Sequence, residues 1–194
     1  MPGPPAKLPT EFSSQRLKLR RYQTEDSAAY CQMLQENCTH LHEFLPDSLA
    51  AIHTPADAER VFQQLAAAWQ ARSLFIFGVW ELENGRYVGE TYLANADWDV
   101  PCIELGYFVV QDQLGKGFAA EAAQATIRYA FAQLKVSRLV LQCAADNLAS
   151  QRVAERCGFT LEGRQRLRQR KKDGALVDRL WYGLLLPDYK ENLN

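Results

Sequence analysis

The stretch Glu104-Leu-Gly-Tyr-Phe-Val-Val-Gln-Asp-Gln-Leu-Gly-Lys-Gly-Phe-Ala-Ala-Glu121 decides the fold, because it joins a strand pattern, a glycine turn and a helix pattern. The apolar run around Gly106 has the length of a buried strand, and an interior glycine marks a bulge or a close backbone approach. An alanine-rich helix is predicted from Phe118 to Leu134, opening directly on Gly115 and Gly117. Unpaired amides and the positive end of the helix dipole make such a turn a site for a phosphate or pyrophosphate.

The chain around this stretch has the size and composition of a single domain. It has 194 residues and a formal net charge of −1, and this near-neutral balance argues against a broad nucleic-acid footprint. One local run is basic and contains Arg164, Arg166, Arg168, Arg170, Lys171 and Lys172. It is predicted to be the solvent face of a strand or hairpin, and nucleic-acid binding is the minor alternative. No apolar run is long enough to cross a bilayer and no secretion signal is apparent, so a cytoplasmic protein without a membrane partner is expected.

Residues 1–14 are rich in proline and are predicted to be a disordered tail, with a single folded domain from 15 to 194. Alternating residues from Arg16 to Tyr22 predict a first strand, and helices are expected over about 25–37 and 54–71. Asn84-Gly85 is the preferred chemistry of a tight turn, which predicts an antiparallel hairpin on either side of it. Further strands are expected at 138–143, from 159 and at 176–186, with a helix ending at Gly158.

This order of elements predicts an α+β fold with a mixed, mostly antiparallel sheet flanked by helices. The strand at Glu104 and the strand at 138–143 are joined by a helix, so this pair should be parallel and splayed at a ligand site.

Two other kinds of ligand site can be weighed against a phosphate site at the glycine turn. Gly115-x-Gly117-x-x-Ala120 fits the dinucleotide fingerprint, but too little chain follows it for the usual second half of that fold, and no P-loop sequence is present. His40-x-His42 lacks further ligands at metal-binding spacing, so no metal is expected, and the segment 39–47 is instead interpreted as a wall of an acceptor pocket or as helix packing.

Three motifs together resemble the GNAT acetyltransferases, in particular their RimJ/RimL ribosomal-protein branch. They are Glu104-Leu-Gly-Tyr-Phe-Val, Gly115-Lys-Gly-Phe-Ala-Ala-Glu-Ala and Asn147-x-x-Ser150-x-x-Val-Ala-Glu-x-x-Gly158-Phe159. The first strand, Leu41-x-x-Phe-Leu-Pro46 and the Asp173-Gly174 hairpin extend the resemblance over nearly the whole chain.

The resemblance implies acetyl-CoA as cosubstrate. The backbone of the loop would hold its pyrophosphate, through Gln113, Gly115, Lys116, Gly117, Phe118 and Ala119. The pantetheine arm would pair with main-chain groups of Phe108, Val109 and Val110 along an edge opened by a bulge near Gly106. Family members usually carry Gln or Arg where this chain has Leu114, so one polar contact is missing from the pattern.

Acetyl transfer to an amine also requires a base, an oxyanion donor and an acid. An amide near Val109 is the candidate oxyanion donor, and Glu104 the candidate base, with Glu90 in reserve and an ordinary salt-bridged carboxylate as the alternative for Glu104. Many relatives use a tyrosine where this chain has Ala154; Ser150 stands one helical turn earlier and is the candidate acid. Asn147 would fix the pantetheine or a water, unless Asn147 and Ser150 only cap the helix.

The expected acceptor is a primary amine, most simply a protein N-terminal α-amine, on an enzyme that is a monomer or a homodimer. A polyamine or aminoglycoside acceptor, and a non-catalytic CoA-binding module, remain alternatives. The carboxylates Glu43, Asp47, Asp97 and Asp99 would attract a cationic acceptor if they converge.

Overall fold

The computed structural model describes residues 7–42, 45–171 and 173–191. These residues form one eight-stranded sheet in the order β1-β2-β3-β4-β5-β6-β8-β7, in which the β5–β6 pair is parallel and the other neighbours are antiparallel. The strands are β1 Glu11–Ser13, β2 Leu17–Arg20, β3 Leu74–Glu81, β4 Tyr87–Asp97, β5 Cys102–Val109, β6 Arg138–Ala144, β7 Thr160–Arg170 and β8 Leu176–Leu185. The predicted α+β class and its parallel pair are confirmed.

The helices lie on both faces of this sheet. They are α1 Ser27–Glu36, α2 Cys38–Leu41, α3 Pro46–Ala51, α4 Pro55–Gln70, α5 Phe118–Tyr129, α6 Leu148–Arg156 and α7 Leu186–Glu191. Thr54 starts α4 with a capping box, since its hydroxyl accepts from the Asp57 amide and the Asp57 carboxylate accepts from the Thr54 amide. The helix predicted from Phe118 to Leu134 is α5 followed by a π-helical turn over Ala130–Leu134.

Two buried clusters hold the layers together. The larger one packs α5 against the sheet through residues such as Phe77, Ile103 and Leu139. The smaller one packs α1 and α4 over the opposite face, and Phe108 of β5 belongs to it. Alternate side chains of β5 therefore enter different clusters, which fixes this strand between the two layers.

The predicted tail is wrong for residues 8–13. Leu8 is buried, β1 pairs with β2, and the Phe12 ring stacks on Tyr129 with a centroid distance of 4.8 Å. The proline-rich composition of this segment favoured disorder, but its apolar side chains Leu8 and Phe12 pack against the core. The remainder of the predicted tail, residues 1–6, lies outside the described residues.

The predicted bulge near Gly106 is also wrong. The β4–β5 register runs without a shift from Gly89↔Val109 to Ala94↔Glu104, through Gly106. Glycine is needed there for another reason, because a Cβ would lie 2.0 Å from the Tyr92 Cζ. The ring of Tyr92 covers the strand at this position.

The edge of β5 is opened by divergence of the strands instead. The β5–β6 pairing covers Cys102↔Arg138 to Glu104↔Val140 and stops there, while β6 stays paired with β8 as far as Ala144. Beyond Glu104 the two parallel strands separate and leave a cleft between them.

Candidate active site

The cleft between β5 and β6 has a volume of about 460 Å³. One wall is formed by Leu105–Phe108 of β5, and the other by Leu141–Ala144 of β6. Polar side chains from four other parts of the chain complete it: Asp146, Asn147, Ser150, Gln169, Lys171 and Arg179. His40 and Leu45 also line the cleft, whereas Leu41 and Leu45 pack in the smaller core cluster, so this segment contributes both to the pocket wall and to helix packing.

The free edge of β5 presents main-chain groups of alternate residues. The Val110 amide donates to the Val88 carbonyl, so the main chain of Val110, and by alternation that of Phe108, faces β4. The main chains of Tyr107 and Val109 face the cleft side. The sequence prediction that Phe108, Val109 and Val110 all offer backbone groups is therefore corrected to Tyr107 and Val109, because two of the three are used inside the sheet.

One of these groups already has a partner. The Nε2 of His40 lies 3.0 Å from the Val109 carbonyl oxygen. This contact attaches α2 to the end of β5 and leaves the Val109 amide as the group that faces the cleft.

The loop after β5 reaches α5 through two glycines in the left-handed region, Gly115 with φ +77° and Gly117 with φ +80°. Gly117 is the N-cap of α5, and the first turn leaves the amides of Phe118, Ala119 and Ala120 without an intrahelical partner. These amides and the helix dipole converge on the concave side of the loop, which is suited to an anionic group.

Gln113 contributes differently from the prediction. Its amide donates to the Val110 carbonyl in a 3₁₀ turn, so that amide is not available to a ligand. Its buried side chain accepts from Lys116 Nζ at 2.7 Å, which folds the lysine back over the loop. The side-chain Nε2 of Gln113 is buried and has no partner among the described residues.

A second cavity of about 600 Å³ adjoins the outer side of this loop. Arg16 lies at its edge, donates to the Lys116 carbonyl at 3.2 Å and pairs with Glu121 at 2.7 Å. Arg128 and Arg156 line the same cavity. The surroundings of the loop are therefore cationic, as a polyphosphate ligand requires.

Tyr107 and Ser150 meet at the bottom of the cleft, where their hydroxyl oxygens are 2.9 Å apart. Burial is the main cause that raises the pKa of Tyr107, and the hydrogen bond to Ser150 opposes it. Asn147 Oδ1 accepts from the Ser150 amide at 3.0 Å, so the helix-capping role considered for Asn147 is present in the structure while both side chains line the cleft. The cap uses the backbone amide of Ser150, so the Ser150 hydroxyl takes no part in it.

Glu104 is held by two amides, since its Oε2 accepts from Asn95 Nδ2 at 2.9 Å and from Gln142 Nε2 at 3.0 Å. Gln142 lines the cleft, whereas Glu104 lies just behind it. The salt-bridged alternative is not what the described residues show, because both partners of Glu104 are neutral amides. Proton transfer from the cleft to Glu104 would need an intervening water.

Glu90 lies under the helical layer and not in the cleft. It is 3% exposed and accepts from the Tyr22 hydroxyl at 2.8 Å, and Tyr22 in turn contacts the Tyr87 hydroxyl at 2.6 Å. Burial raises the pKa of Glu90 to about 7, against the opposing effect of the Tyr22 hydrogen bond. Glu90, the reserve candidate for the base, therefore has a pKa near neutral pH but does not line the cleft.

The carboxylates proposed to attract a cationic acceptor do not converge. Asp47, Asp97 and Asp99 are not among the described residues that line the cleft, and Glu43 lies outside the described residues. Within residues 7–42, 45–171 and 173–191, no group of three or more His, Cys, Asp or Glu is placed to hold a metal ion. Over the same ranges, no helix has the length and apolar character needed to cross a membrane.

The family is decided by a match to residues 16–160, which span β2, the splayed strands and the glycine loop. The matching family is described as the acetyltransferase (GNAT) domain. The chain belongs to the GNAT acetyltransferases. It is therefore an acetyl-CoA-dependent N-acetyltransferase, and the cleft and loop described above are its candidate coenzyme site.

Individual relatives agree with this assignment. The N-acetyltransferase p20 of Bacillus licheniformis, whose own role is uncharacterised, is 27% identical over 177 residues, which cover 91% of this chain and 96% of the relative. The ribosomal-protein-S5-alanine acetyltransferase of Vibrio fischeri superposes with a TM-score of 0.83 at 21% identity, covering 93% of this chain and 99% of that one. RimL, a ribosomal L7/L12 alpha-N-protein acetyltransferase in complex with coenzyme A, superposes with a TM-score of 0.80 at 21% identity, covering 94% and 98%. These two structural likenesses establish the same fold.

Sequence reasoning on this GNAT enzyme missed two cleft residues. Tyr107 was taken as part of a buried strand, but its hydroxyl lies at the cleft beside that of Ser150. Arg179 was included in a terminal hairpin and given no role. In each case the available signal was a polar group inside an apolar strand pattern, which marks a strand with a functional face.

Proposed function

We propose that this enzyme transfers the acetyl group of acetyl-CoA to the α-amine of a protein N terminus, by direct attack in a ternary complex. The observation that supports this most strongly is the cleft itself. It contains the pair formed by Tyr107 and Ser150, and residues of β7 and β8 line its other side, where an acceptor chain can enter. Two structural neighbours are named as acetyltransferases of ribosomal proteins, one of them an alpha-N-protein enzyme.

The coenzyme is proposed to lie along β5. Amides of Gly115, Gly117, Phe118 and Ala119 would bind its pyrophosphate, with Lys116 moving from Gln113 to a phosphate oxygen. The pantetheine arm would follow the free edge at Tyr107, and the Val109 amide would donate to the thioester oxygen as it becomes an oxyanion.

The chemical step requires two proton movements. The acceptor nitrogen forms a bond to the acetyl carbon, and its proton passes through a water to Glu104, whose position is fixed by Asn95 and Gln142. The carbon–sulfur bond then breaks, and the departing thiolate takes a proton from the Ser150 hydroxyl. Tyr107, whose hydroxyl oxygen is 2.9 Å from that of Ser150, would restore that proton and would itself be reprotonated by water from solvent.

A panel of acceptors tests the proposal. Thiol release from acetyl-CoA would be followed with peptides that carry a free α-amine, with the same peptides blocked at the N terminus but containing lysine, and with spermidine and an aminoglycoside. Mass spectrometry would then locate the acetyl group. The expected product carries acetyl on the α-amine of the unblocked peptide.

Two results would contradict the proposal. Acetylation of spermidine or the aminoglycoside alone would establish a small-molecule acetyltransferase. Bound acetyl-CoA that persists with every amine would indicate a coenzyme-binding module. An acceptor of ribosomal type would place the enzyme in the cytoplasm, and the Ser150→Ala variant provides the control for catalysed release.

A further inference from the structure

Arg179 of β8 is a cationic side chain inside the acceptor end of the cleft. It is paired with Ala144 across the β6–β8 ladder and lines the cleft together with Tyr92 and Gln142. Its Nε atom is buried and has no hydrogen-bond partner within the described residues. A buried guanidinium N–H without an acceptor is unusual, because leaving it unpaired costs free energy.

Trp181 adds a second donor of the same kind. Residues two apart in a strand point to the same face, and Leu180 and Tyr182 between and beyond them enter the core beneath the sheet. The Nε1 of Trp181 is also buried and has no partner among the described residues. One face of β8 therefore carries two buried donors without acceptors among the described residues, and of these two Arg179 lines the cleft.

The neighbouring strand β7 extends this donor-rich face to the surface. It is the outer strand of the sheet, and its register with β8 is interrupted between Gln165 and Gln169, where Leu167 has φ +50°. Arg166 and Arg168 in this interruption are exposed. Neither of them forms an ion pair within the described residues, and the Asp178 carboxylate, which attracts Arg166 electrostatically, is paired with Arg164.

We propose that the acceptor is a polypeptide N terminus followed by acidic residues. Arg179 would bind a carboxylate or carbonyl oxygen close to the reacting amine, and Arg166 and Arg168 would attract the acidic segment that follows. This inference rests on the proposed transfer to a protein N terminus. It names the acceptor's chemistry, and it disfavours polycationic acceptors, which Arg179 would repel.

The same basic strand would also attract phosphates of a nucleic acid. A protein acceptor is favoured because Arg179 lies inside the cleft of an amine acetyltransferase, and because the whole chain has a net charge of −1. Nucleic-acid binding therefore becomes an outcome of the test.

The test compares two peptides that begin with the same serine and continue with either Asp-Glu-Asp-Glu or the uncharged Asn-Gln-Asn-Gln. We expect kcat/KM to be about tenfold higher for the acidic peptide at low salt, and less so at high salt. The Arg179→Gln variant should reduce this ratio to near unity, and the double variant Arg166→Gln/Arg168→Gln should remove its salt-dependent part. Arg60→Gln, which removes the same charge from the exposed face of α4, should leave the ratio unchanged.

Thermal unfolding and acetyl-CoA binding of each variant show whether it is folded. Equal kcat/KM for the two peptides, or a preference that survives in Arg179→Gln with the fold intact, overturns this inference and leaves the proposed transfer standing. Tight, salt-dependent binding of an RNA oligonucleotide with no peptide preference also overturns it. If neither peptide is acetylated, the proposed N-terminal transfer fails and this inference fails with it.

Discussion

The two sides of the cleft present different kinds of chemical groups. The β5 wall and the glycine loop offer main-chain amides, whose positions depend on strand alternation and on the left-handed φ of Gly115 and Gly117. The opposite side of the cleft, formed by β6, α6 and β8, offers side chains, above all those of Ser150 on α6 and Arg179 on β8.

This difference separates what the family shares from what this chain adds. Main-chain groups bind the same ligand whatever side chains surround them, so the β5 wall suits a coenzyme common to many enzymes. Side chains can change one at a time without disturbing the backbone, so the opposite wall suits an acceptor particular to this protein. Substitutions on the two sides of the cleft should therefore separate coenzyme binding from acceptor recognition.

The largest expected effect is at Gly117. Valine at φ +80° forces the loop to change shape, and we expect the acetyl-CoA dissociation constant to rise on the order of 100-fold as two or more charge-assisted hydrogen bonds are lost. Calorimetric titration with acetyl-CoA measures it. Gly85→Val is the matched control, since Gly85 has φ +70° in the exposed β3–β4 turn and should suffer similar strain without loss of coenzyme. Equal coenzyme affinity in both variants would show that the loop is not the phosphate site.

The next effect is at Ser150. Replacement by alanine removes the hydroxyl and retains the amide that Asn147 caps, so the helix should persist. We expect kcat to fall by about 10²-fold with unchanged acetyl-CoA affinity, and Tyr107→Phe to lower it by a smaller factor. Rapid-quench kinetics under saturating substrates measure the step. A Ser150→Ala enzyme with full turnover would leave Ser150 as a helix residue alone.

Glu104→Gln should have a smaller effect, about tenfold on kcat/KM at neutral pH, because water can partly replace a base that acts through water. Glu90→Gln, on the neighbouring strand and away from the cleft, should retain its activity. The assignment of the base fails if Glu90→Gln shows the larger loss.

The last prediction concerns stability and not activity, and it involves the buried carboxyl of Glu90. Burial raises the pKa of Glu90 from its ordinary value of 4.5 to about 7, so the folded protein holds a proton that the unfolded chain has released. The contribution of Glu90 to the free energy of unfolding is full below about pH 4.5 and is lost as the pH rises to about 7, by roughly 3 kcal/mol.

Urea unfolding of the wild type and of Glu90→Gln at pH 5 and pH 8 measures this contribution. The variant should gain stability relative to the wild type at the higher pH, since glutamine carries no proton to lose. If the free energies of unfolding of the two proteins differ by the same amount at both pH values, Glu90 keeps its ordinary pKa in the folded protein.

Much of this protein followed from local sequence patterns. Local patterns in the run Ile103–Val110, at the glycines 115 and 117 and in the alanine-rich segment determined a strand, a left-handed turn and the start of a helix, because each depends on residues close together in the chain. Asn84-Gly85 likewise determined its hairpin. The family resemblance carried by these patterns was confirmed by the match over residues 16–160.

Which groups come together depends on contacts between distant parts of the chain. Tyr107 and Ser150 are far apart in sequence, and their contact depends on the divergence of β5 from β6 after Glu104. The burial of Glu90 depends on α1 and α4 covering one half of the sheet face, whereas Arg179 lies at the cleft on the other half. Sequence patterns record the period of a strand, but long-range packing determines what each face of that strand contacts.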